Sequence, residues 1–307
     1  IFGFLLQSAN MKIFHIMEST SRVLTRGLAV LNSFGIELRN KSKHVHAQED
    51  FLAVSKKYPI FAVADGVTLE SGPDGVYPKV SGAGAAAEIF CKTVVKEIEK
   101  IYKNFGAADL KKVFAKANTA VGEYNHARGR VKDKLNYWDF DLFAATAAFL
   151  VIKEGNVYWA SVCDSEVAHF KKNGQLAFGS DDGWSIIRKN LPPGWSKIPD
   201  PDRKRIIRKV YRNGIGSTGR LIGYGVVTGE KAAERYLNFG QFRVDRGDVV
   251  MVFSDGFENY LKLKEFVELF LNWPRSLRSK LKKITHHKSI DDPNSFGRER
   301  ALIAIKF

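Results

Sequence analysis

The spacing of apolar and polar positions changes several times along this chain, and each change predicts an element. Short apolar runs within residues 50–66, joined by a Lys-Lys-Tyr-Pro turn, predict a β-hairpin that ends in Asp-Gly. Apolar residues at helical spacing follow in 81–105 and again in 109–129, which predicts two helices. The segment 142–180 then predicts a meander of three strands, separated by Glu-Gly-Asn and Lys-Asn-Gly turns.

The remaining chain alternates between irregular and regular stretches. Residues 181–215 are rich in Pro, Gly, Arg and Lys, and predict an insertion around a short basic helix at 202–212. We expect a strand pair around 240–257, a helix at 263–273 and a closing strand at 300–307.

This order of elements lacks the regular strand–helix alternation of a doubly wound parallel sheet, and instead predicts antiparallel sheets covered by helices. We expect a single domain over residues 11–307, with a strand, turn and strand at 22–38. Residues 1–10 begin without Met and are expected to be an extension outside the fold.

The hydrophobic content, cysteine count and net charge of the chain indicate which class of protein it belongs to. The chain has 307 residues, 45% of them hydrophobic, and no apolar run long enough to span a bilayer. Two cysteines exclude a disulfide framework and a cysteine-rich zinc site, so we expect a cytoplasmic protein. The net charge of +15 indicates an anionic partner, such as a phosphorylated protein or nucleic acid, or else a solvated basic surface.

Acidic residues stand at the ends of apolar runs in four places. They are Glu49-Asp50, Asp65-Gly66, Asp164-Ser165 and Asp255-Gly256. Gathered carboxylates repel one another unless cations neutralise them, and oxygen-only ligands favour Mg²⁺ or Mn²⁺ over Zn²⁺. Glycine after aspartate would let the backbone turn so that its carbonyl also faces a metal. Asp-Gly is also a common hairpin turn, so a purely structural role stays open.

Four segments in order, "QEDFLAV", "IFAVADGV", "ATAAFLVIKEGNVYWASVCDSEVAHFKKNGQL" and "GDVVMVFSDGF", resemble the metal-dependent protein phosphatases (type 2C, the PPM family). The resemblance covers about residues 40–307. It implies an α+β fold, a four-layer α-β-β-α sandwich with two central antiparallel sheets flanked by helices. It also implies that a metal-activated hydroxide at a binuclear Mg²⁺ or Mn²⁺ centre hydrolyses phosphoserine and phosphothreonine in proteins.

The resemblance assigns roles to matching positions of this chain. Asp65 would bridge two ions, and the Gly66 carbonyl would bind one of them. Asp255 would be a terminal ligand, and Glu49 and Asp50 would hold metal-bound waters. The residues implied in catalysis are therefore Asp65, Asp255 and Glu49.

The resemblance also implies two further metal ligands, at positions where this sequence matches the family motifs less closely. Asp164 matches a position that helps to bind a third ion in similar bacterial enzymes. The last-strand metal ligand aligns with Arg298, and a shift of one residue makes Glu299 the ligand. The alternatives for that position are Asp291 and Asp292, or no ligand at all.

Other positions of this chain differ from the family motifs, and these differences support a second hypothesis about function. The arginine that usually precedes the Glu-Asp pair aligns with Val45, so its neighbours His44 and His46 are candidate phosphate-binding residues. Glu166 replaces the arginine of the Gly-Asp-Ser-Arg segment. These differences would also suit a catalytically silent relative that serves as a binding or sensor module. Asp248 precedes the apolar run that leads to Asp255, and it is predicted to be a turn residue rather than a metal ligand.

Two basic segments, at 202–212 and 275–288, are candidate binding surfaces for an anionic partner. Arg203, Lys204, Arg208 and Arg212 lie in the predicted insertion and could dock a phosphorylated surface, and 275–288 could bind a partner. The chain lacks the alternating aromatic and basic residues of a nucleic-acid stacking platform, so nucleic acid is an unlikely partner. Solvated helix faces are the alternative interpretation of both segments.

Overall fold

The structure, a computed structural model, describes residues 11–18, 49–67, 81–181 and 183–307. The predicted extension 1–10 and the predicted strands at 22–38 lie outside these residues, as do His44, Val45 and His46. Within the described part of the chain, no helix combines the length and the apolar composition that crossing a membrane requires.

Ten strands in the described residues form two antiparallel sheets of five. The strands are β1 (Lys12–Glu18), β2 (Phe51–Val54), β3 (Ile60–Gly66), β4 (Ala145–Lys153), β5 (Asn156–Val162), β6 (Glu166–Phe170), β7 (Leu176–Gly179), β8 (Asn238–Arg243), β9 (Val249–Phe253) and β10 (Arg300–Lys306). One sheet has the order β1-β10-β9-β6-β7, and the other has the order β2-β3-β4-β5-β8.

Helices pack on the face of each sheet that is turned away from the other sheet. The helices are α1 (Gly82–Ile101), α2 (Asp109–Ala127), α3 (Trp184–Asn190), α4 (Asp200–Ile206), α5 (Glu258–Leu261), α6 (Lys264–Asn272), α7 (Leu277–Asp291) and α8 (Pro293–Phe296). Helices α1 and α2 cover the second sheet, whereas α5, α6 and α7 cover the first. The predicted four-layer α-β-β-α sandwich is confirmed.

Strand β3 shows why the central runs are continuously apolar. Ile60, Ala62 and Ala64 face the helices α1 and α2, whereas Phe61 and Val63 face the opposite sheet. Because successive side chains of a strand point to opposite faces, a strand between two covered faces buries every residue. The predicted hairpin of β2 and β3 is confirmed, with Phe51 opposite Ala64.

The predicted meander at 142–180 is wrong in strand number and in pairing. The segment contains four strands, β4 to β7, and the chain passes from one sheet to the other between β5 and β6. The predicted pair at 240–257 is also wrong, because β8 pairs with β5 while β9 lies between β10 and β6. Apolar alternation identifies a strand, but it carries no information about which strand lies beside it.

The insertion contains α3 and α4, and α4 continues as a π-helical turn at Ile207–Tyr211. Two of its arginines point into the protein, since Arg208 Nε lies 3.1 Å from Asp141 Oδ2 and Arg212 also pairs with Asp141. Arg212 is buried, so the prediction that it docks a substrate is wrong. Arg203 and Lys204 pair with Asp200 on the surface.

Candidate metal centre

The register of the strands gathers the predicted acidic residues at one edge of the sandwich. Asp50 precedes β2, and Asp65 lies near the end of its antiparallel neighbour β3. Likewise, Glu299 precedes β10, and Asp255 follows the neighbouring strand β9. Antiparallel pairing places the start of one strand beside the end of the next, so residues far apart in sequence become neighbours.

Three carboxyl groups form the centre of this acidic edge. Asp50, Asp65 and Glu299 each offer an oxygen atom, and these oxygens lie within 4.8 Å of one another. Asp50 is buried, whereas Asp65 and Glu299 are half-buried. We call these three residues the carboxylate triad.

Two further aspartates act on the triad electrostatically. Asp255 and Asp164 both raise the pKa of Asp65, and Asp255 also raises those of Asp50 and Glu299. Neither belongs to the group of oxygens within 4.8 Å. The structure therefore brings both predicted Asp-Gly aspartates to the same edge, with Asp255 beside the triad.

Glu49 lies behind the triad and is held by hydrogen bonds. Its backbone N–H donates to Glu299 Oε2 at 3.0 Å, and its side chain accepts a hydrogen bond from Ser81 Oγ. Ser81 also caps α1, because its Oγ accepts from the N–H of Gly84 at 2.9 Å. Glu49 thus connects the triad to the beginning of a helix.

Burial and mutual repulsion favour the protonated carboxyl groups. Burial is the largest cause of the raised pKa values, followed by neighbouring carboxylates for Asp65 and Glu299. The pKa of Glu299 is raised to about 9. Burial raises the pKa of Asp50 to about 7, although a hydrogen bond from Ser254 opposes it. Burial also raises the pKa of Asp255 to about 6.

An oxygen atom of Asp50 supports a metal-binding role. Ser254 Oγ donates to Oδ2 of Asp50 at 2.7 Å, but the buried Oδ1 accepts no hydrogen bond from the described residues. An unsatisfied buried carboxylate oxygen is costly, and a cation at that place would remove the cost. The donor set, three carboxylates, is one that suits Mg²⁺ or Mn²⁺.

The glycines after Asp65 and Asp255 allow close packing. A Cβ atom at Gly66 would lie 2.7 Å from the backbone carbon of Ala83, at the start of α1. A Cβ atom at Gly256 would lie 2.0 Å from the backbone oxygen of Glu299. Neither glycine has a positive φ, so the expected sharp turn is replaced by close approach of neighbouring backbone.

The alternative ligands for the last strand lie apart from the triad. Asp292 caps α8 by accepting from the N–H of Ser295 at 3.2 Å, and Asp291 is exposed at the end of α7. Arg298, which aligns with the ligand position, instead forms an ion pair with Asp255. Glu299 is the residue at this position that joins the carboxylate triad.

Asp164 and its neighbours complete the acidic edge. Trp184 Nε1 donates to Asp164 Oδ2 at 3.1 Å, which positions this carboxyl group at the start of α3. Cys163 has a φ of 60°, a left-handed conformation that favours glycine. A glycine would adopt the backbone conformation of Cys163 with less strain.

Sequence reasoning missed the hydroxyl groups that hold the site. Ser254 bonds to Asp50 through Oγ, and its Oγ also accepts from the N–H of Ala301 at 2.9 Å. The Ser-Asp-Gly motif already contained this signal, because a serine before a ligand aspartate can position a neighbouring carboxylate. Ser81 had no comparable signal, since its role depends on how α1 packs.

Two comparisons with known proteins concern the sequence of this chain. The family model described as protein phosphatase 2C matches residues 41–183. The search of curated proteins found no match.

Solved structures resemble nearly the whole chain. The serine/threonine phosphatase PstP of Mycobacterium tuberculosis has 13% identity and a TM-score of 0.55, covering 97% of this chain and 98% of that one. The catalytic domain of PstP in complex with two manganese ions has 13% identity and a TM-score of 0.53, with 96% of each chain covered. A bacterial serine phosphatase has 12% identity and a TM-score of 0.59, covering 96% of this chain and 97% of that one. At these identities the structures establish a shared fold.

Proposed function

We propose that this chain hydrolyses phosphoserine and phosphothreonine in proteins. The resemblance to the metal-dependent protein phosphatases of type 2C, the family-model match over residues 41–183 and the shared fold support the proposal. The reaction depends on Mg²⁺ or Mn²⁺. The observation that carries the proposal is the carboxylate triad, in which oxygens from the β2–β3 hairpin and from the start of β10 lie within 4.8 Å of one another. The manganese ions in the complex of PstP support the choice of metal.

We assign the ligands as follows. The triad residues Asp50, Asp65 and Glu299 would hold one ion, with Asp65 shared between two. The Gly66 carbonyl and Asp255 would complete the binuclear centre. This assignment changes the role of Asp50, which the resemblance placed at a metal-bound water, because one of its carboxylate oxygens lies within 4.8 Å of those of Asp65 and Glu299.

Three other residues would support the centre. Asp164, held by Trp184, would contribute to a third and weaker ion. Glu49 would keep Glu299 in place through its backbone N–H. Ser254 would orient Asp50, so that Oδ1 rather than Oδ2 is offered to the ion.

When bound, two such ions supply an activated water and neutralise charge on the phosphoryl oxygens. The residues of this chain supply a rigid acidic frame. Burial of Asp50 and the hydrogen bonds of Glu49 fix the carboxyl groups before substrate arrives, so little reorganisation is needed during the reaction. The basic surface, with a net charge of +15, would favour phosphorylated protein as the partner.

The experiment measures release of phosphate from a phosphoserine peptide with and without Mn²⁺. We expect activity in Mn²⁺, none in excess chelator, and none in Asp65→Asn. Asp245→Asn is the matched control, since Asp245 is an exposed aspartate whose side chain pairs with Lys171. Activity that persists in chelator or in Asp65→Asn would contradict the mechanism.

A silent binding or sensor module remains the second candidate, and the ion pair between Arg298 and Asp255 favours it. A guanidinium group already compensates one carboxylate that the mechanism assigns to metal. Calorimetry separates the two candidates. Binding of two Mn²⁺ ions at millimolar concentration supports the enzyme, whereas failure to bind a second ion supports the module.

We also propose that the protein is cytoplasmic. Cys91 and Cys163 are both buried and form no disulfide in the structure, which suits a reducing compartment. Cell fractionation with an antibody to the chain tests this location, and recovery in a secreted fraction would contradict it.

A further inference from the structure

Arg298 is a basic residue at the candidate metal centre, where it pairs with Asp255. It directly precedes Glu299 of the carboxylate triad, and its Nη1 contacts Oδ2 of Asp255. The Arg298 side chain is half exposed, whereas that of Asp255 is 19% exposed. The pair therefore lies where the acidic edge opens towards solvent.

The backbone keeps Arg298 close to Asp255. Ser254 N–H donates to the carbonyl oxygen of Ala301 at 3.0 Å, so the end of β9 is bonded to the start of β10. Gly256 brings the two segments still closer, because a Cβ atom there would lie 2.0 Å from the oxygen of Glu299. A guanidinium on residue 298 is thus tied to the neighbourhood of Asp255.

A guanidinium and a divalent ion have competing requirements at one carboxylate. Oδ2 of Asp255 already accepts a charged hydrogen bond from Arg298. An ion that bound the same oxygen would lie within a few ångströms of the guanidinium, and two positive charges at that separation repel each other. At the carboxylate triad the donors are neutral, since the Ser254 hydroxyl donates to Asp50 and the Glu49 N–H donates to Glu299.

We propose that Arg298 is a built-in counter-cation of Asp255 that competes with the divalent ion there. The chain then has one tight ion site at the carboxylate triad. The second site, at Asp255, is weak, and it fills when Arg298 releases the carboxylate. This inference rests on the metal centre of the proposed function.

The test compares Mn²⁺ binding to the whole chain and to Arg298→Gln by calorimetry, with the free Mn²⁺ signal in electron paramagnetic resonance as a second measurement. We expect two classes of site. Removal of the charge should strengthen the weak class about 5-fold, the order expected for one partly exposed ion pair. The tight class should change by less than about 2-fold, since Arg298 contacts a carboxylate outside the triad.

Two further variants serve as controls. Arg298→Lys retains the positive charge, so the weak site should stay within about 2-fold of the unmodified chain. Arg246→Gln removes an exposed arginine from the turn between β8 and β9, at the other end of β9, and should leave both classes unchanged. Equal strengthening in Arg246→Gln would show that net charge alone matters and would overturn the proposal.

Failure of this inference is distinguishable from failure of the proposed function. A chain that hydrolyses phosphopeptides with Mn²⁺, while Arg298→Gln leaves the weak site unchanged, would refute the counter-cation alone. A chain with the expected change in ion binding but no hydrolysis would refute the phosphatase alone. Absence of Mn²⁺ binding in every variant would refute both.

Discussion

Two buried aspartates, Asp248 and Asp50, meet opposite environments. Asp248 accepts hydrogen bonds from Lys171 and backbone N–H groups and pairs with His169 at 2.7 Å. Burial opposes its ionisation, but these partners outweigh burial and lower its pKa. Asp50 has Ser254 and other carboxyl groups around it, and its pKa is raised to about 7. Cationic partners thus favour the ionised form of Asp248, whereas burial and neighbouring carboxyl groups favour the protonated form of Asp50.

The largest effect expected from this difference is on catalysis. Glu299→Gln removes one charge of the carboxylate triad but keeps the shape of the side chain. We expect Mn²⁺-dependent activity to fall on the order of 10²- to 10³-fold, because an electrostatic group at the reacting centre is lost. Activity per folded molecule should be unchanged in Asp248→Asn. Steady-state kinetics at saturating Mn²⁺ measure the activity of both variants. Equal losses of activity in Glu299→Gln and Asp248→Asn would show that the two sites do not differ in their role in catalysis.

Stability should change in opposite directions in the two regions. Asp248→Ala leaves His169 and Lys171 without their partner, so the free energy of unfolding should fall by about 3 kcal/mol. Asp50→Asn relieves repulsion among carboxylates, so in chelator at pH 8 the free energy of unfolding should rise by roughly 1 to 3 kcal/mol. Urea denaturation measures both changes. A loss of stability in Asp50→Asn would mean that other groups of the chain already compensate the negative charge of the carboxylate triad.

The pH dependence of stability follows from the raised pKa values. Asp255, Asp50 and Glu299 have folded-state pKa values of about 6, 7 and 9, above their ordinary values. The folded state therefore binds these protons more tightly than the unfolded state. Their contribution to stability is complete below about pH 4 and is lost as pH rises towards about 9.

Urea denaturation in chelator at pH 6, 7.5 and 9 tests this sign. Stability should fall across the series, and Asp50→Asn should flatten the fall. Millimolar Mn²⁺ should restore stability most at pH 9, where the carboxyl groups are ionised and can bind the ion. Equal stabilisation by Mn²⁺ at pH 6 and pH 9 would contradict the assignment of these groups.

The smallest effect is expected at an exposed ion pair. Lys264 and Glu268 are 3.6 Å apart on α6, and the lysine side chain is 89% exposed. Lys264→Ala should change the free energy of unfolding by about 0.5 kcal/mol or less, because water and salt screen the pair. The same urea measurement applies. A larger loss would mean that exposure is a poor guide to the weight of an ion pair in this protein.

Much of this architecture was predictable from the sequence because local signals were strong. The hairpin of β2 and β3 followed from two apolar runs and a turn, and α1 and α2 followed from helical spacing. Strand partners were not predictable, because β8 and β9 look like adjacent strands of one sheet but pair in different sheets. That choice depends on side-chain packing across the sandwich rather than on periodicity.

The candidate site was predicted in its residue types and only partly in its arrangement. The ordered acidic motifs pointed to Asp65 and Asp255, and the resemblance offered Glu299 as one alternative. No sequence pattern could show that Ser254 donates to Asp50, or that Arg298 contacts Asp255. These details depend on tertiary contacts between segments that are far apart in the chain.

The hydrogen bond between Glu49 and Glu299 spans 250 positions of the chain. Closing so long a loop costs conformational entropy that local contacts cannot repay early in folding. The carboxylate triad therefore assembles only when β10 takes its place between β1 and β9. Mn²⁺ binding during refolding should thus be a late event, and its time course would report when β10 docks.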